Sequence, residues 1–157
     1  MAARADALLD SNVLIALLAE AHVHHAASIA LFLGERPFRF AIAAHSYAET
    51  YSTLTRRGGP APFDFSPREA WAALESLRAA TDLVGLTPAQ TFDAVRGYAG
   101  DGGVGPRLYD RLIGEAAALH GVRRIVTWNV AHMRGLFPGL AVTTPVELLA
   151  APGAGRA

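Results

Sequence analysis

The chain has 157 residues, no cysteine and a formal net charge of zero, and 52% of its residues are hydrophobic. This length is typical of one domain with a sizeable core, while the missing cysteines exclude a disulfide framework and the neutral charge gives no overall attraction to nucleic acid. No uninterrupted apolar run is long enough to cross a bilayer and no signal-peptide pattern is recognised, so we expect a cytoplasmic protein without membrane contact.

The first predicted element is a short buried strand that is followed at once by a helix. The apolar run 5–9 predicts the strand and residues 13–18 predict the helix, so Asp10 lies where the two meet. Ser11 and Asn12 are suited to cap the helix and to fix the Asp10 carboxylate. In an open parallel sheet this position is the edge where ligands bind. The same three residue types are also ordinary helix starters, so this stretch alone does not establish a site.

The rest of the chain alternates short apolar runs with amphipathic stretches. We predict strands at about 38–42, 82–86, 123–127 and 140–143, and helices at about 24–33, 44–56, 67–80, 88–98 and 106–120, with a glycine-rich loop at 97–105. Capping boxes with proline in the first turn open the helices after Ser66 and Thr87. This alternation predicts a three-layer α/β/α sandwich with a mostly parallel sheet of about five strands. One domain at 1–149 and a disordered tail at 150–157 are expected.

The helix predicted at 44–56 carries a polar stripe. Its members recur at helical spacing and are His45, Glu49, Ser52 and Arg56. The opposite, apolar side is predicted to comprise Ala44, Tyr47, Ala48, Tyr51 and Leu54. The stripe is either a solvated surface or the wall of a wet cleft. Because this helix follows the second strand, its first turns should lie near the same sheet edge as Asp10, which makes Glu49 a candidate.

The helix that starts near residue 106 carries a second candidate, Asp110. Its solvent side is predicted to comprise Arg107, Arg111 and Glu115, and its buried side Tyr109, Leu112, Ile113, Ala116 and Leu119. Asp110 lies on the flank, one turn before Gly114 and two turns before Ala117, so small residues should leave space beside its carboxylate. The alternative is that this acid only stabilises the helix dipole, which is worth about 0.3–1 kcal/mol.

Asn129 and His132 follow the fourth predicted strand, where a turn-forming asparagine and a surface histidine are the simpler interpretation. Together with Asp10, Glu49 and Asp110, however, they place polar side chains near the carboxyl ends of several strands. Converging carboxylates repel one another unless a cation lies among them, and hard oxygen ligands suit Mg²⁺ or Mn²⁺. Such an ion is suited to phosphodiester hydrolysis, because it activates water and neutralises charge at the phosphorus.

The order and spacing of these residues resemble those of the PIN-domain ribonucleases, and specifically the VapC-type toxins of bacterial toxin–antitoxin pairs. The resemblance covers residues 8–145 and rests on segments 8–15, 47–49, 109–121, 124–129 and 137–145. It implies a three-layer α/β/α fold and an endoribonuclease that depends on Mg²⁺ or Mn²⁺. It also implies a homodimer, an RNA substrate and inhibition by a cognate antitoxin whose tail enters the active-site groove.

Three acids match the family pattern and a fourth position departs from it. Asp10, Glu49 and Asp110 correspond to the best-kept acids, so the resemblance implies that Asp10 and Asp110 bind the metal directly, with Glu49 as a ligand or through water. Many members carry an acid where this chain has Asn129 or His132. An amide at 129 can still orient water or substrate. With one negative charge fewer, a site for one metal ion is the expectation.

Two other functions stay open on the sequence. The missing fourth acid is compatible with a catalytically weak protein that binds RNA or a partner. Asp10 could also accept a phosphoryl group in a phosphotransferase, although such enzymes typically have a second Asp where Asn12 stands. The histidines at 22, 24 and 25 resemble a metal-binding histidine tag. Because they stand at the start of a short predicted helix, we expect them to be solvated.

Overall fold

The computed structural model describes residues 4–60 and 62–152. Its sheet has five strands, which are β1 (Ala7–Leu9), β2 (Phe40–Ala43), β3 (Asp82–Val84), β4 (Arg124–Val126) and β5 (Ala141–Thr143). They lie in the order β3-β2-β1-β4-β5, and every neighbouring pair is parallel. Because β1 is central, the residue that follows it lies at the middle of the sheet edge.

Eight α-helices connect or follow these strands in the described part of the chain. They are α1 (Ser11–Leu18), α2 (His25–Phe32), α3 (Ala44–Thr55), α4 (Pro67–Ala80), α5 (Pro88–Gly100), α6 (Leu108–Leu119), α7 (Val130–Leu136) and α8 (Pro145–Ala150), with a 3₁₀ turn at Gly105–Arg107. Both predicted capping boxes are present, at Ser66 before α4 and at Thr87 before α5. None of these helices has both the length and the hydropathy needed to span a bilayer.

The sheet is covered on both faces, which confirms the predicted α/β/α sandwich. Alternate residues of β1 point to opposite sides, as the pleat of a strand requires. Leu9 belongs to a buried cluster with Ile42 and Val126 that is covered by α1, α2, α4 and α8. Leu8 belongs to another cluster with Ile125 that is covered by α6 and α7. All three residues of β1 are therefore buried.

The predicted elements differ from the structure mainly at the C-terminal end. Helices α7 and α8 are absent from the prediction, although Thr144 opens α8 with a third capping box: Glu147 N–H donates to its hydroxyl at 3.1 Å. Helix α5 continues to Gly100, so the predicted glycine-rich loop starts later than expected. The predicted tail overlaps the end of α8, and its residues 153–157 lie outside the described residues, so the domain boundary stays a prediction.

Candidate active site

Asp10 lies at the buried end of the central strand and starts α1. Its extended backbone (φ −73°, ψ 155°) makes it the N-cap, so Ser11 and Asn12 are already helical and the prediction that they cap α1 is wrong by one residue. The residue is 3% exposed, and its carboxylate Oδ1 accepts the Ser11 N–H at 2.7 Å. Burial raises the pKa of Asp10 to about 6, with the hydrogen bond from Thr127 opposing this rise and the charge of Asp110 adding to it.

A hydroxyl from the neighbouring strand holds the other oxygen of Asp10. Thr127 follows β4 and is fully buried, and its Oγ1 donates to Asp10 Oδ2 at 2.7 Å. Thr127 Oγ1 also accepts hydrogen bonds from Asn12 Nδ2 and from Asn129 N–H, both at 3.0 Å. Asn12 Oδ1 in turn accepts the Trp128 N–H at 3.1 Å. Asn12 therefore positions Asp10 through Thr127, and not by the direct contact expected from the sequence.

Glu49 lies in the second turn of α3 and is half-buried. Its side chain is 28% exposed, and its Oε1 lies 3.9 Å from His45 Nε2. Neither atom finds a hydrogen-bond partner among residues 4–60 and 62–152. Burial and then the charges of Asp10 and Asp110 raise the pKa of Glu49 to about 7. A buried carboxylate oxygen without a donor is costly, so this oxygen is available to a positively charged ligand.

Asp110 lies in the first turn of α6 and faces a histidine of α7. His132 Nε2 is 3.1 Å from Asp110 Oδ2, which is within ion-pair distance although the contact lacks hydrogen-bond geometry. The two side chains are 17% and 21% exposed, so the pair is largely shielded from solvent. Burial raises the pKa of Asp110, and the nearby His132 and Arg107 oppose the rise. A histidine thus occupies the side of the site where the sequence lacks a fourth acid.

A glycine allows α7 to approach α6 closely enough for this contact. A Cβ atom at Gly114 would overlap the ring of Phe137, which follows α7. The space predicted beside Asp110 is therefore filled by an aromatic ring one turn further along the helix. Since the partly buried Phe137 packs against the buried cluster that contains Ile113, the contact also anchors the end of α7 on the core.

The three acids influence one another electrostatically. The charge of Asp110 raises the pKa of both Asp10 and Glu49, and the charge of Asp10 raises that of Glu49. Their oxygens are the donors that a hard divalent cation takes. Within the described residues, no three His, Asp or Glu side chains are arranged so that one ion could bind all of them. The site therefore brings carboxylates near one another without placing their oxygens around one point.

Asn129 is the N-cap of α7 and is exposed. Its backbone adopts φ −110° and ψ 61°, and its side chain makes no capping hydrogen bond. The backbone N–H of Asn129 donates to Thr127 Oγ1. The side-chain amide therefore stands at the rim of the site with no role in holding the backbone, and its predicted role in orienting water or substrate stays a prediction.

Two residues of this site were missed by the sequence analysis as functional candidates. Thr127 directly follows the buried Ile125 and Val126 of β4, and a lone hydroxyl after two apolar residues was the available signal. His45 was placed in the polar stripe of α3 without a role, although it faces Glu49 and its ring lies 6.4 Å from that of Tyr109. Burial lowers the pKa of His45.

The predicted faces of α3 and α6 are wrong in part. The buried line of α3 is Ser46, Thr50 and Leu54, whereas Ala44 and Ala48 are exposed. Thr50 tolerates burial because its hydroxyl donates to the Ser46 carbonyl at 2.7 Å. In α6, the predicted core residues Tyr109 and Leu119 are exposed, and Gly114 and Ala117 are buried instead.

Comparison with known proteins gives one family and a consistent set of relatives. The family model described as PIN domain matches residues 7–130. Ribonuclease VapC27 of Mycobacterium tuberculosis (strain ATCC 25618 / H37Rv) is 36% identical over 112 residues, which make up 71% of this chain and 77% of that protein.

Two solved structures show the same fold at low identity. Mycobacterium tuberculosis VapC20, described as a sarcin–ricin loop cleaving toxin, superposes with a TM-score of 0.60 at 18% identity, over 76% of this chain and 86% of that chain. VapBC-1 from nontypeable Haemophilus influenzae also gives a TM-score of 0.60, at 14% identity, over 89% of this chain and 98% of that chain.

Proposed function

Because this chain belongs to the PIN-domain family, we propose that it is a metal-dependent endoribonuclease and the toxin of a type II toxin–antitoxin pair. The observation that carries the proposal is that Asp10, Glu49 and Asp110, from three elements, lie close enough for their charges to interact. Burial first, and the charges of the neighbouring acids in addition, raise the pKa of Asp10 to about 6 and that of Glu49 to about 7. Three acids from three separate elements that repel one another at a sheet edge are stabilised by a cation. The 36% identity to a protein named as a ribonuclease supports the reaction class.

The carboxylate oxygens of these residues are the kind of donor that Mg²⁺ and Mn²⁺ prefer. Asp10 and Asp110 are proposed as direct ligands, and Glu49, whose Oε1 is buried without a hydrogen-bond donor among the described residues, as a ligand directly or through water. When bound, the cation would supply an activated water and offset the negative charge of the scissile phosphate. Since neither Asn129 nor His132 contributes a carboxylate, we propose one ion.

Neighbouring residues of the chain position the Asp10 carboxylate and are proposed to position water or substrate. Ser11 N–H and the Thr127 hydroxyl hold one oxygen each of Asp10, so this carboxylate cannot rotate freely. The Asn129 amide, at the exposed rim, is proposed to orient water or substrate by hydrogen bonds. Binding of one ion by all three acids would require side-chain movement, because among the described residues no three such side chains converge on one point.

We extend the proposal to the partners and the location. The VapBC neighbour is an antitoxin–toxin complex, which supports a cognate antitoxin for this chain. A homodimer, a cytoplasmic location and an RNA substrate are proposed from family membership. The aspartyl-phosphate alternative is disfavoured because Asn12, where such enzymes need a second acid, is engaged with Thr127 and Trp128.

The test is metal-dependent cleavage of RNA by the purified chain. Labelled single-stranded RNA is incubated with Mg²⁺ or Mn²⁺, or with EDTA, and with the variants Asp10→Asn and Asp110→Asn. Asp93→Asn is the matched control, because Asp93 is an exposed acid on α5. We expect cleavage only with metal, loss in both site variants and full activity in the control. Cleavage that persists in EDTA or in the Asp10→Asn variant refutes the proposal. If the protein binds RNA but neither cleaves it nor releases heat on titration with Mn²⁺, the alternative of a catalytically weak RNA-binding protein is favoured.

A further inference from the structure

Two histidines of the candidate active site each bury a ring nitrogen that makes no hydrogen bond within the part of the chain that the structure describes. The two atoms are His45 Nε2 and His132 Nε2. Each lies beside a carboxylate, His45 Nε2 at 3.9 Å from Glu49 Oε1 and His132 Nε2 at 3.1 Å from Asp110 Oδ2. Burial of a polar atom without a hydrogen bond is costly, so a ligand that binds such a nitrogen is favoured.

The histidines before and at the start of α2 are engaged in contacts of their own. His22 Nδ1 accepts the backbone N–H of His24 at 3.0 Å, and the His24 ring stacks on Trp128 with centroids 3.9 Å apart. His25 Nδ1 lies 2.8 Å from the Ala16 carbonyl oxygen. All three are half-buried, so the expectation that they are solvated is wrong. Their rings serve packing and hydrogen bonding within the fold.

The pair of Asp110 and His132 lacks the alignment of an ordinary ion pair. At 3.1 Å the oxygen and the nitrogen are close enough for a hydrogen bond, but the geometry of a donated hydrogen bond is not met. The Nε2 atom therefore does not point at Oδ2. Two donor atoms that lie this close together without pointing at each other can both point at a third atom.

The separation of these two atoms is that of neighbouring ligands of one octahedral ion. Bonds of about 2.1 Å that meet at about 90° place a nitrogen and an oxygen ligand about 3.0 Å apart. The 3.1 Å between Asp110 Oδ2 and His132 Nε2 agrees with this value. The 3.9 Å between Glu49 and His45 is wider. His132 is therefore the histidine whose position fits a metal ligand.

Both ends of α7 are fixed, so His132 in its first turn is held in place. At the start of the helix, the Asn129 N–H donates to Thr127 Oγ1 at 3.0 Å. After its end, the Phe137 ring packs where Gly114 leaves room on α6. A metal ligand held by its surroundings loses little freedom when the ion binds, which favours binding.

We propose that His132 Nε2 binds the same cation as Asp110, and that the site therefore prefers a first-row transition ion such as Mn²⁺ to Mg²⁺. This inference rests on the proposed function and adds to it a nitrogen ligand and the class of ion. Mg²⁺ is bound through oxygen ligands and water. Imidazole suits transition ions, whose affinity for a site with nitrogen ligands rises along the series from Mn²⁺ to Cu²⁺.

The first test detects the bond between Mn²⁺ and nitrogen directly. Protein without a histidine tag and without RNA is loaded with Mn²⁺ and measured by pulsed electron paramagnetic resonance, in which a bound imidazole nitrogen couples to the electron spin of the ion. We expect this coupling in the unmodified protein and its loss in His132→Ala. The matched control is His120→Ala, an exposed histidine at the other end of α6, which should retain it. Bound Mn²⁺ without nitrogen coupling, or coupling that persists in His132→Ala, overturns the inference.

The second test compares two ions by titration calorimetry. His132→Ala should weaken Mn²⁺ binding at least about tenfold, because loss of a group that only orients a ligand already costs about 10-fold to 100-fold. Mg²⁺ binding should change by less than about threefold, because water can replace the nitrogen in its shell. Unchanged Mn²⁺ affinity, or an equal loss for both ions, overturns the inference. If His132→Ala lowers the melting temperature strongly, His132→Gln replaces it in both tests, since it lacks the imidazole but fills a similar volume.

The outcomes separate this inference from the proposed function. Metal-dependent RNA cleavage by a protein whose Mn²⁺ shows no nitrogen coupling supports the nuclease and overturns the role of His132. Nitrogen coupling that is lost in His132→Ala, in a protein that cleaves no RNA, supports the role of His132 and overturns the nuclease. A protein that binds no Mn²⁺ overturns both.

Discussion

The Thr127 hydroxyl donates a 2.7 Å hydrogen bond to Asp10 Oδ2, joining the ends of two neighbouring strands that are 117 residues apart in the chain. This bond is the main interaction that opposes the rise in the pKa of Asp10 caused by burial. It thus favours the ionised carboxylate, which is the form that can bind a cation. The geometry assigns Thr127 a positioning role that acts through Asp10.

Replacing Thr127 by valine should reduce both metal affinity and cleavage by about 10-fold to 100-fold, as is typical when a group that orients a metal ligand is lost. It should also lower the free energy of unfolding by about 1–3 kcal/mol, because Asp10 Oδ2 stays buried without its donor. Calorimetry with Mn²⁺ and thermal unfolding measure the two effects. Thr127→Ser keeps the hydroxyl and should behave like the unmodified protein; equal loss in both variants would contradict the role of the hydrogen bond.

The raised pKa values predict that the metal-free protein becomes less stable as pH rises. Asp10 and Glu49 bind protons more tightly in the folded state than in the unfolded chain. Their contribution is therefore full below about pH 4 and is lost as pH rises through about 6 and 7. Between pH 5 and pH 8 we expect a loss of roughly 1–3 kcal/mol, which lowers the melting temperature by about 3–10 °C.

Scanning calorimetry of metal-free protein across this pH range measures the effect. Asp10→Asn should flatten the dependence, while the exposed Asp93→Asn should not. Added Mn²⁺ should raise the melting temperature more at pH 8 than at pH 5, because ligand carboxylates must lose their protons to bind. A melting temperature that rises between pH 5 and pH 8 without metal would contradict the pKa directions.

Introducing a carboxylate beside Asp110 should strengthen cation binding. In His132→Asp, the imidazole that lies 3.1 Å from Asp110 is replaced by an acid. We expect Mg²⁺ affinity to rise roughly tenfold, which corresponds to about 1.4 kcal/mol. This is well below the about 4 kcal/mol of attraction between two unit charges about 4 Å apart near a protein surface. Titration calorimetry measures it, with His120→Asp as a control of equal charge at an exposed histidine. Unchanged affinity would place residue 132 outside the metal site.

The close approach of α6 and α7 predicts a selective effect of alanine at two glycines. Gly114→Ala introduces a Cβ that overlaps the Phe137 ring, so we expect a loss of about 1–3 kcal/mol in the free energy of unfolding. At Gly135, within α7, a Cβ meets no atom within 4 Å, and Gly135→Ala should stabilise the protein by about 0.4–1 kcal/mol. Urea unfolding compares the two; equal effects would contradict the packing of Phe137 on α6.

The fold was largely predictable because its signals are local. The buried run before Asp10 and the capping boxes at Ser66 and Thr87 depend only on neighbouring residues, and they placed β1, α4 and α5 correctly. The same signal is present at Thr144, where the sequence prediction lacks helix α8. Alternating strands and helices then sufficed for the parallel α/β/α architecture.

The sequence suggested candidate acids for the site, but it did not indicate their arrangement or the roles of Thr127 and His45. Sequence order indicated that Asp10, Glu49 and Asp110 follow or flank strand ends, because parallel strands carry those ends to one edge. The electrostatic coupling of these acids agrees with that expectation, and their common cation stays a prediction. Which faces of α3 and α6 are buried depended on neighbours that periodicity alone does not name, so Ala44, for example, was placed on the wrong side.

The sequence by itself therefore determined most of the elements, the layered architecture and the candidate acids, since hydrophobic periodicity, capping and strand-end position act over a few residues. Only the tertiary structure decided that Thr127 holds Asp10, that His132 faces Asp110 and that Trp128 stacks on His24. Each of these contacts joins two segments that are distant in the chain. Their geometry depends on how whole helices pack across the sheet, and no local pattern encodes it.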